Sequence, residues 1–528
     1  MIWPRMLIFR NLCFCLLLSV GLLAAQGLDP AKLLQPPTDT WPTYNGDYSG
    51  RRYSTLSQIN AANVHDLTLA WVFNANSRAL KSTPLEVNGI LYFTVPNNVW
   101  AVDARTGRQI WKYTYEDKQG GDLIGNRGLG MYHNWLYFET PDAHLISLEA
   151  KDGTVRWNKQ LGDPQLGYFA TMAPLIVGEH VLVSVSGDVT DIPGYLESVD
   201  PETGDMQWRW NTEPSPGEPG SESWPRNSDA ITHGGGMPWM TGTYDPELHL
   251  VYWGIGNPNP VMAGDVRQGD NLYTCSIVAL NLDTGKLQWY FQPSPHDVHD
   301  WDAVQTPVLF DGTFDGKPRR LLAQGSRNGY FFVLDRATGE HLLTAPLIST
   351  NWASGIDQRG RPIAKLTKFP TPNGSLVSPG SDGATNWMAP SFDPQTNLFY
   401  VNARRMFSEF YLTEAGKAEG WAGRDRNLWS TSSIQALDYR DGKVRWSHSL
   451  GDGESVAGIL TTAGGVLFTG DNSGNLLALN PETGNVLWHV NAGGNMVSSP
   501  STFQLDGRQY LLTLVQGLMY AWVLPDSQ

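Results

Sequence analysis

The densest concentration of reactive side chains is the segment PSPHDVHDWDAVQTP at 293–307. Asp297, Asp300 and Asp302 fall within six residues of one another, beside His296 and His299. Three carboxylates this close repel one another unless a cation or a proton offsets them. On an extended segment Asp300 and Asp302 point to the same side, because side chains alternate with a period of two. Two hard oxygen donors on one side suit a highly charged hard cation. A solvated acidic turn would carry the same residues, and the cluster alone does not separate the two.

Two further groups carry chemistry. Asn257 follows Gly-Ile-Gly and precedes proline in YWGIGNPNP, a setting that fixes its amide at a strand end, or that makes it a turn residue. Arg127 lies in GNRGLG, Arg327 in QGSRNGYFFVLDR, Trp239 after three glycines in THGGGMPWM, and Asn386-Trp387 in GATNWMAP. Arginines at glycine-lined strand ends can hold a polyanion bidentately. An indole approached across glycines offers a flat stacking face. Taken singly, each serves equally as an internal salt bridge or a core aromatic.

The frame that must position these residues is written by repetition. Thr-Gly or Asp-Gly is followed four residues later by Trp at Gly107/Trp111, Gly153/Trp157, Gly204/Trp208, Gly285/Trp289, Gly442/Trp446 and Gly484/Trp488. Gly339 is a degenerate copy with Leu343 in the Trp place. Alternating apolar runs such as ILYFTV (90–95) lead into these phrases, and glycine turns the chain because it accepts positive φ. A recurring phrase of this kind marks one supersecondary unit used many times. Repeated around an axis, a four-stranded antiparallel sheet is a propeller blade. Gly339 and Gly442 are 103 positions apart, room for two units, and that interval holds the unsigned strand-like run NLFYVNA (397–403). Seven copies plus this hidden unit predict an all-β, eight-bladed propeller with tryptophan-docking repeats, a single domain over 28–528. A seven-bladed wheel with a large insertion is the alternative.

Residues 1–27 read as a signal peptide: Arg5 and Arg10 precede the 14-residue apolar run 12–25, and small residues follow. Such a run is too short to span a bilayer comfortably, so a periplasmic product without stable membrane insertion is expected, an uncleaved anchor being the alternative. The net charge of −15 argues against nucleic acid and suits a basic partner, although acidity also serves solubility. Cys13 and Cys15 leave with the leader and Cys275 stands alone, so no internal disulfide is expected. The chain has no CxxCH, and no haem is expected. No GxGxxG follows a βα pattern, which excludes a nicotinamide enzyme.

Taken in order, NRG, GGG-x-x-W, GNPxP, GDNLYT, PHDxxDxD, SRNGYFFVLDR and TNW resemble the pyrroloquinoline quinone (PQQ) alcohol dehydrogenases, the methanol and ethanol dehydrogenase family. The segment WPTYNGDYSGRRYSTLSQINAANVHDLTLAW (41–71) is similar to their N-terminal part, and the resemblance covers about residues 38–524. It implies a quinone in a chamber on the propeller axis, chelating one metal ion. It implies that Asp300 is the base that takes the alcohol proton and that Arg327 stands beside the reactive carbonyl. It places Arg127, Thr171, Ser186 and Gly187 against the quinone carboxylates and neighbouring oxygens, Trp239 beneath the ring, and Asn386 and Trp387 at its edge. Asn257 and Asp300 become metal ligands. Asp302 resembles the extra acidic residue of the lanthanide-using methanol dehydrogenases, so a lanthanide is favoured over calcium: a trivalent ion is better neutralised by one more carboxylate. The implied substrate is an alcohol or sugar, the acceptor a soluble cytochrome c or similar protein.

Three departures qualify the carry-over. The vicinal cysteine pair that faces the quinone is absent, Gly121-Asp122 standing in its place. The family's metal-binding Glu has no plain equivalent, and Asp188 takes it after a one-residue shift. Trp301 and His299 replace the usual aromatic order around Asp300, which should alter the substrate side of the pocket. The competing function is a non-catalytic propeller that binds proteins, related to outer-membrane assembly factors, which needs none of Arg127, Trp239, Asn257, Asp300 or Arg327. The long segment 211–228 is expected to help line the chamber.

Overall fold

The computed structural model describes residues 27–77, 80–116, 125–187, 192–226, 229–416 and 420–525. The signal peptide expected over 1–27 therefore lies, Gly27 apart, outside the described residues, as do Gly121, Asp122 and Asp188. The fold is all-β, its helical segments being 3-10 turns of five residues or fewer. Among the described residues the strands form eight sheets of four or five strands and one separate two-stranded ribbon.

One sheet shows the plan. Leu85–Val87, Ile90–Val95, Asn98–Asp103 and Gln109–Thr114 pair antiparallel in sequence order. The two middle strands are almost wholly buried, as their unbroken apolar runs require, and the last is exposed at alternate residues. Asp103 turns the chain before that last strand. Its Oδ1 accepts the N–H groups of Arg105 and Thr106 at 2.9 and 3.0 Å, and Gly107 follows at φ +70°. Asp200 and Asn480 make the same paired bonds, so the repeated phrase is an Asx turn closed by a left-handed residue.

The tryptophan of one repeat lies over the turn glycine of the next. A Cβ on Gly153 would come within 2.8 Å of the Trp111 ring, and the Trp111 indole N–H donates to the Ala150 carbonyl at 3.0 Å. The same pairing joins Trp208 to the Gly285 turn, Trp289 to the Gly339 turn and Trp446 to the Gly484 turn. Where Leu343 replaces the indole, Gly442 faces Ala345 and Leu343.

The sheet that lacks the phrase is not where the long interval suggested. NLFYVNA enters the strand Leu398–Leu412, which pairs with Gly423–Asp438 and through it with Val444–Asp452, the strand carrying Trp446. It therefore belongs to the signed Gly442 unit. The extra length goes into strands of 15 and 16 residues and into the ribbon Ala353–Ile356/Pro362–Ala364. The unsigned sheet joins distant parts of the chain: Thr68–Asn74 pairs antiparallel with Leu518–Val523, from Thr68 opposite Val523 to Asn74 opposite Leu518. Its turn is missing because that strand pair is not consecutive. Its tryptophan is Trp71, which covers Gly107 and donates to the Ala104 carbonyl at 3.1 Å.

Candidate functional site

In an antiparallel meander the start of the first strand and the end of the second lie at the same end of the sheet. The sequence-predicted residues stand on such segments. Arg127, Thr171, Trp239, Asp300, Asp302, Asn386 and Trp387 precede strands beginning at Gly130, Leu175, Thr243, Val308 and Ser391. Ser186 and Gly187 follow His180–Ser184, Asn257 follows Leu250–Gly254, and Arg327 follows Lys317–Gly325. Common placement gathers them: all of these except Asn257 line one cavity of about 310 Å³, Asp188 lying outside the described residues.

The acidic wall centres on Asp302, which is fully buried. Its Oδ1 accepts the Asn257 backbone N–H at 2.6 Å, and its Oδ2 accepts the Trp239 indole N–H at 2.9 Å and Arg327 Nη1 at 2.6 Å. Arg327 Nη2 reaches Asp300 Oδ2 at 2.8 Å and the Ser381 carbonyl at 2.7 Å. Burial pushes the Asp302 carboxyl above its ordinary range, and the Arg327 guanidinium opposes that rise. Two carboxylates share one guanidinium, so the group carries a net negative charge when all three are ionised.

The segment beneath is held by Asp297, whose Oδ2 accepts the backbone N–H groups of His299 and Trp301 at 3.2 and 3.0 Å. Asp300, between them, stands at φ +68°, a conformation that costs a non-glycine residue energy and clusters at functional sites. His299 and Trp301 do not line the cavity, against the expectation that they reshape its substrate side. Being odd-numbered neighbours of Asp300 on the same loop, they turn to the core. Their rings stack with centroids 4.2 Å apart, His299 reaches the Lys368 carbonyl, and the Trp301 indole donates to the Gly380 carbonyl at 2.9 Å. Burial lowers the His299 pKa to about 4.

The opposite wall is cationic. Arg127 is buried, donates to the Thr171 carbonyl at 3.2 Å and sits with Cζ 4.7 Å from the Trp239 ring centroid. Trp239 is thus held between Arg127 over its face and Asp302 at its indole nitrogen. Thr171 and Ser186 pair through their hydroxyls at 3.2 Å. Asn386 donates to the Asp382 carbonyl at 3.1 Å. Arg127 Nε and Asn386 Oδ1 are buried without a protein partner. A guanidinium and an indole face lining one cavity suit a planar, anionic ligand.

Sequence reading missed Lys81, Phe169, Ser381, Asp382 and Trp421, which line the same cavity. No period or motif marks them. Asp382 stands four residues before Asn386, close enough to have been drawn in with it. Trp421 ends the excursion between the two long strands, and it does what 211–228 was expected to do: among the described residues none of that segment lines the cavity. Among the described residues no three His, Cys, Asp or Glu side chains are arranged to hold a metal ion. No described helix is long and apolar enough to cross a membrane.

The family model described as the β-propeller domain of glucose, ethanol and alcohol dehydrogenases using PQQ matches residues 41–346. A second model, that of the outer-membrane assembly factor BamB, matches only 430–521, one whole sheet and parts of its two neighbours. The chain is 36% identical to the quinohemoprotein alcohol dehydrogenase of Comamonas testosteroni, over 90% of this chain and 73% of that protein. The crystal structure of that enzyme superimposes with a TM-score of 0.88 at 32% identity, covering 96% of this chain and 84% of the other. The quinoprotein alcohol dehydrogenase PedH of Pseudomonas putida is 34% identical over 88% of this chain and 83% of its own. A europium-containing methanol dehydrogenase superimposes with a TM-score of 0.85 at 29% identity, covering 94% of this chain and 99% of that one.

These likenesses overturn the expectation of no haem. The Comamonas relative and further relatives from Pseudomonas putida are quinohemoproteins, so haem accompanies PQQ in several relatives, and the missing CxxCH was too narrow a ground. The fold they share is the propeller-type fold of PQQ dehydrogenases. With a family model over more than half its length and relatives above 30% identity along most of it, the chain belongs to the PQQ-dependent alcohol dehydrogenases, oxidoreductases that act on alcohols.

Proposed function

We propose that this protein is a periplasmic quinoprotein dehydrogenase that oxidises a small alcohol and passes the electrons to a cytochrome c-type acceptor. The observation that carries this reading is the Arg327 guanidinium, bonded to Asp300 and Asp302 in a cavity whose other wall is cationic. The eight sheets are the blades of one eight-bladed propeller, with indoles docking successive blades except at the Gly442 turn, where Leu343 and Ala345 stand.

PQQ, when bound, supplies the two-electron acceptor for the hydride that leaves the carbinol carbon. Arg127, Thr171, Ser186 and Gly187 would bind its carboxylates and oxygens, and Trp239, Asn386 and Trp387 would hold its ring system. Asp300 accepts the hydroxyl proton of the alcohol, its carboxylate oriented by Arg327. The Arg327 cation also stabilises negative charge that develops at the acceptor. Asn257, Asp300, Asp302 and Asp188 would hold one hard cation, which would polarise the acceptor as a Lewis acid. The net negative charge of the Asp300–Arg327–Asp302 group favours a cation there. A lanthanide is preferred to calcium because Asp302 adds a carboxylate, and the likeness to a europium-containing enzyme agrees.

The test is reconstitution of the purified protein with PQQ and either calcium or lanthanum, followed by alcohol-dependent dye reduction. Activity with lanthanum that Asp302→Ala abolishes, while calcium activity survives, is the expected result. No quinone absorbance retained with either metal would sink the reading.

A further inference from the structure

We infer that Lys81 is a second carboxylate-binding cation of the quinone pocket, acting beside Arg127 to select an anionic over a neutral cofactor. This rests on the PQQ reading above and goes beyond the residues it assigns.

Lys81 precedes Leu85–Val87, the first strand of its sheet, and so stands at the same end as the other cavity residues. It lines the cavity together with Arg127, from a different sheet, and its ammonium lies 5.6 Å from the Trp387 ring centroid. The backbone makes room for it: a Cβ on Gly125 would fall 2.8 Å from Lys81 Cδ. Burial, and then repulsion from Arg127, lower the Lys81 pKa to about 8. Two cations in one partly desolvated wall destabilise each other unless an anion faces both. Among the described residues neither Lys81 nor Arg127 has a carboxylate within 4.0 Å, and Glu139, the acidic side chain that acts on Arg127, is buried and bonded to the Met172 and Ser184 N–H groups. Of the cavity's acidic side chains, Asp300 and Asp302 are bonded to Arg327, and Asp382 acts on Arg404. A ligand with more than one carboxylate supplies the missing charge, and the Trp387 face steadies the ammonium that receives it.

The test compares binding of PQQ and of its uncharged trimethyl ester to the full apo chain by equilibrium dialysis. Wild type should bind the acid more tightly than the ester. Lys81→Gln should narrow that ratio about tenfold, Lys81→Arg should keep it, and circular dichroism should match wild type in both. A ratio unchanged in Lys81→Gln, with PQQ still bound by wild type, overturns the inference and leaves the function standing. A wild type that binds no PQQ overturns both. Acetylation of the wild-type protein, mapped by mass spectrometry, gives a readout without substitution: PQQ should protect Lys81, and absent protection counts against the inference.

Discussion

One guanidinium serves two carboxylates in this pocket: Arg327 meets Asp300 at 2.8 Å and Asp302 at 2.6 Å, all three buried. Removing it leaves two like charges facing each other without compensation. Arg327→Ala should lower kcat by about 10²–10³. Arg327→Lys keeps the charge but cannot span both carboxylates, and should fall between wild type and alanine in steady-state kinetics.

Asp300→Asn keeps the shape and removes the base. Turnover should drop by about 10²–10⁴ while PQQ remains bound, as read by quinone absorbance after desalting. Equal loss of quinone and turnover would reassign Asp300 to cofactor retention.

Trp239→Phe keeps a ring under the pocket but removes the N–H that bonds Asp302 Oδ2 at 2.9 Å. The variant should lose about 1–2 kcal/mol in chemical denaturation and bind PQQ more weakly.

Glu86 provides a pH test far from the pocket. It is buried, its Oε1 accepts the Gly89 N–H at 2.7 Å, Oε2 has no partner, and burial raises its pKa from 4.5 to about 8. The folded protein holds this proton after the unfolded chain has released it. Stability should therefore be full below about pH 4.5 and fall as pH rises towards 8, by about 3 kcal/mol at pH 7. Glu86→Gln should flatten that slope in denaturation curves taken at pH 5 and pH 8.

Trp71→Ala would strip the indole from the Gly107 turn and from a strand that pairs across the whole chain. A loss of about 3–5 kcal/mol is expected in urea unfolding, more than for an exposed strand residue.

Most of the frame was legible because its phrase is a local device. Asp, Thr and Gly build the turn within five residues, and the indole needs one glycine to rest on. What could not be read was the unit made from 68–74 and 518–523, whose defining turn does not exist in sequence. The pocket divides in the same way. Asp300, Asp302, Arg327, Trp239 and Arg127 stood out because glycines, prolines or like charges surround them, and the cavity gathers them. Lys81, Phe169 and Trp421 have ordinary neighbours and join the cavity only when separate sheets converge. His299 and Trp301 were misjudged because sequence proximity to Asp300 says nothing about which way a ring turns on a strained loop.

The pairing of Thr68–Asn74 with Leu518–Val523 also sets an order on biosynthesis. Strand 68–74 must wait, with Trp71 and its ladder edge uncovered, until residues 518–523 have been made. Until then the cavity walls, drawn from residues 81 to 421, have no closed circle to hold them at fixed separation. Cofactor loading therefore follows synthesis of 518–523, and until then the open edge of 68–74 is a template for unwanted strand pairing.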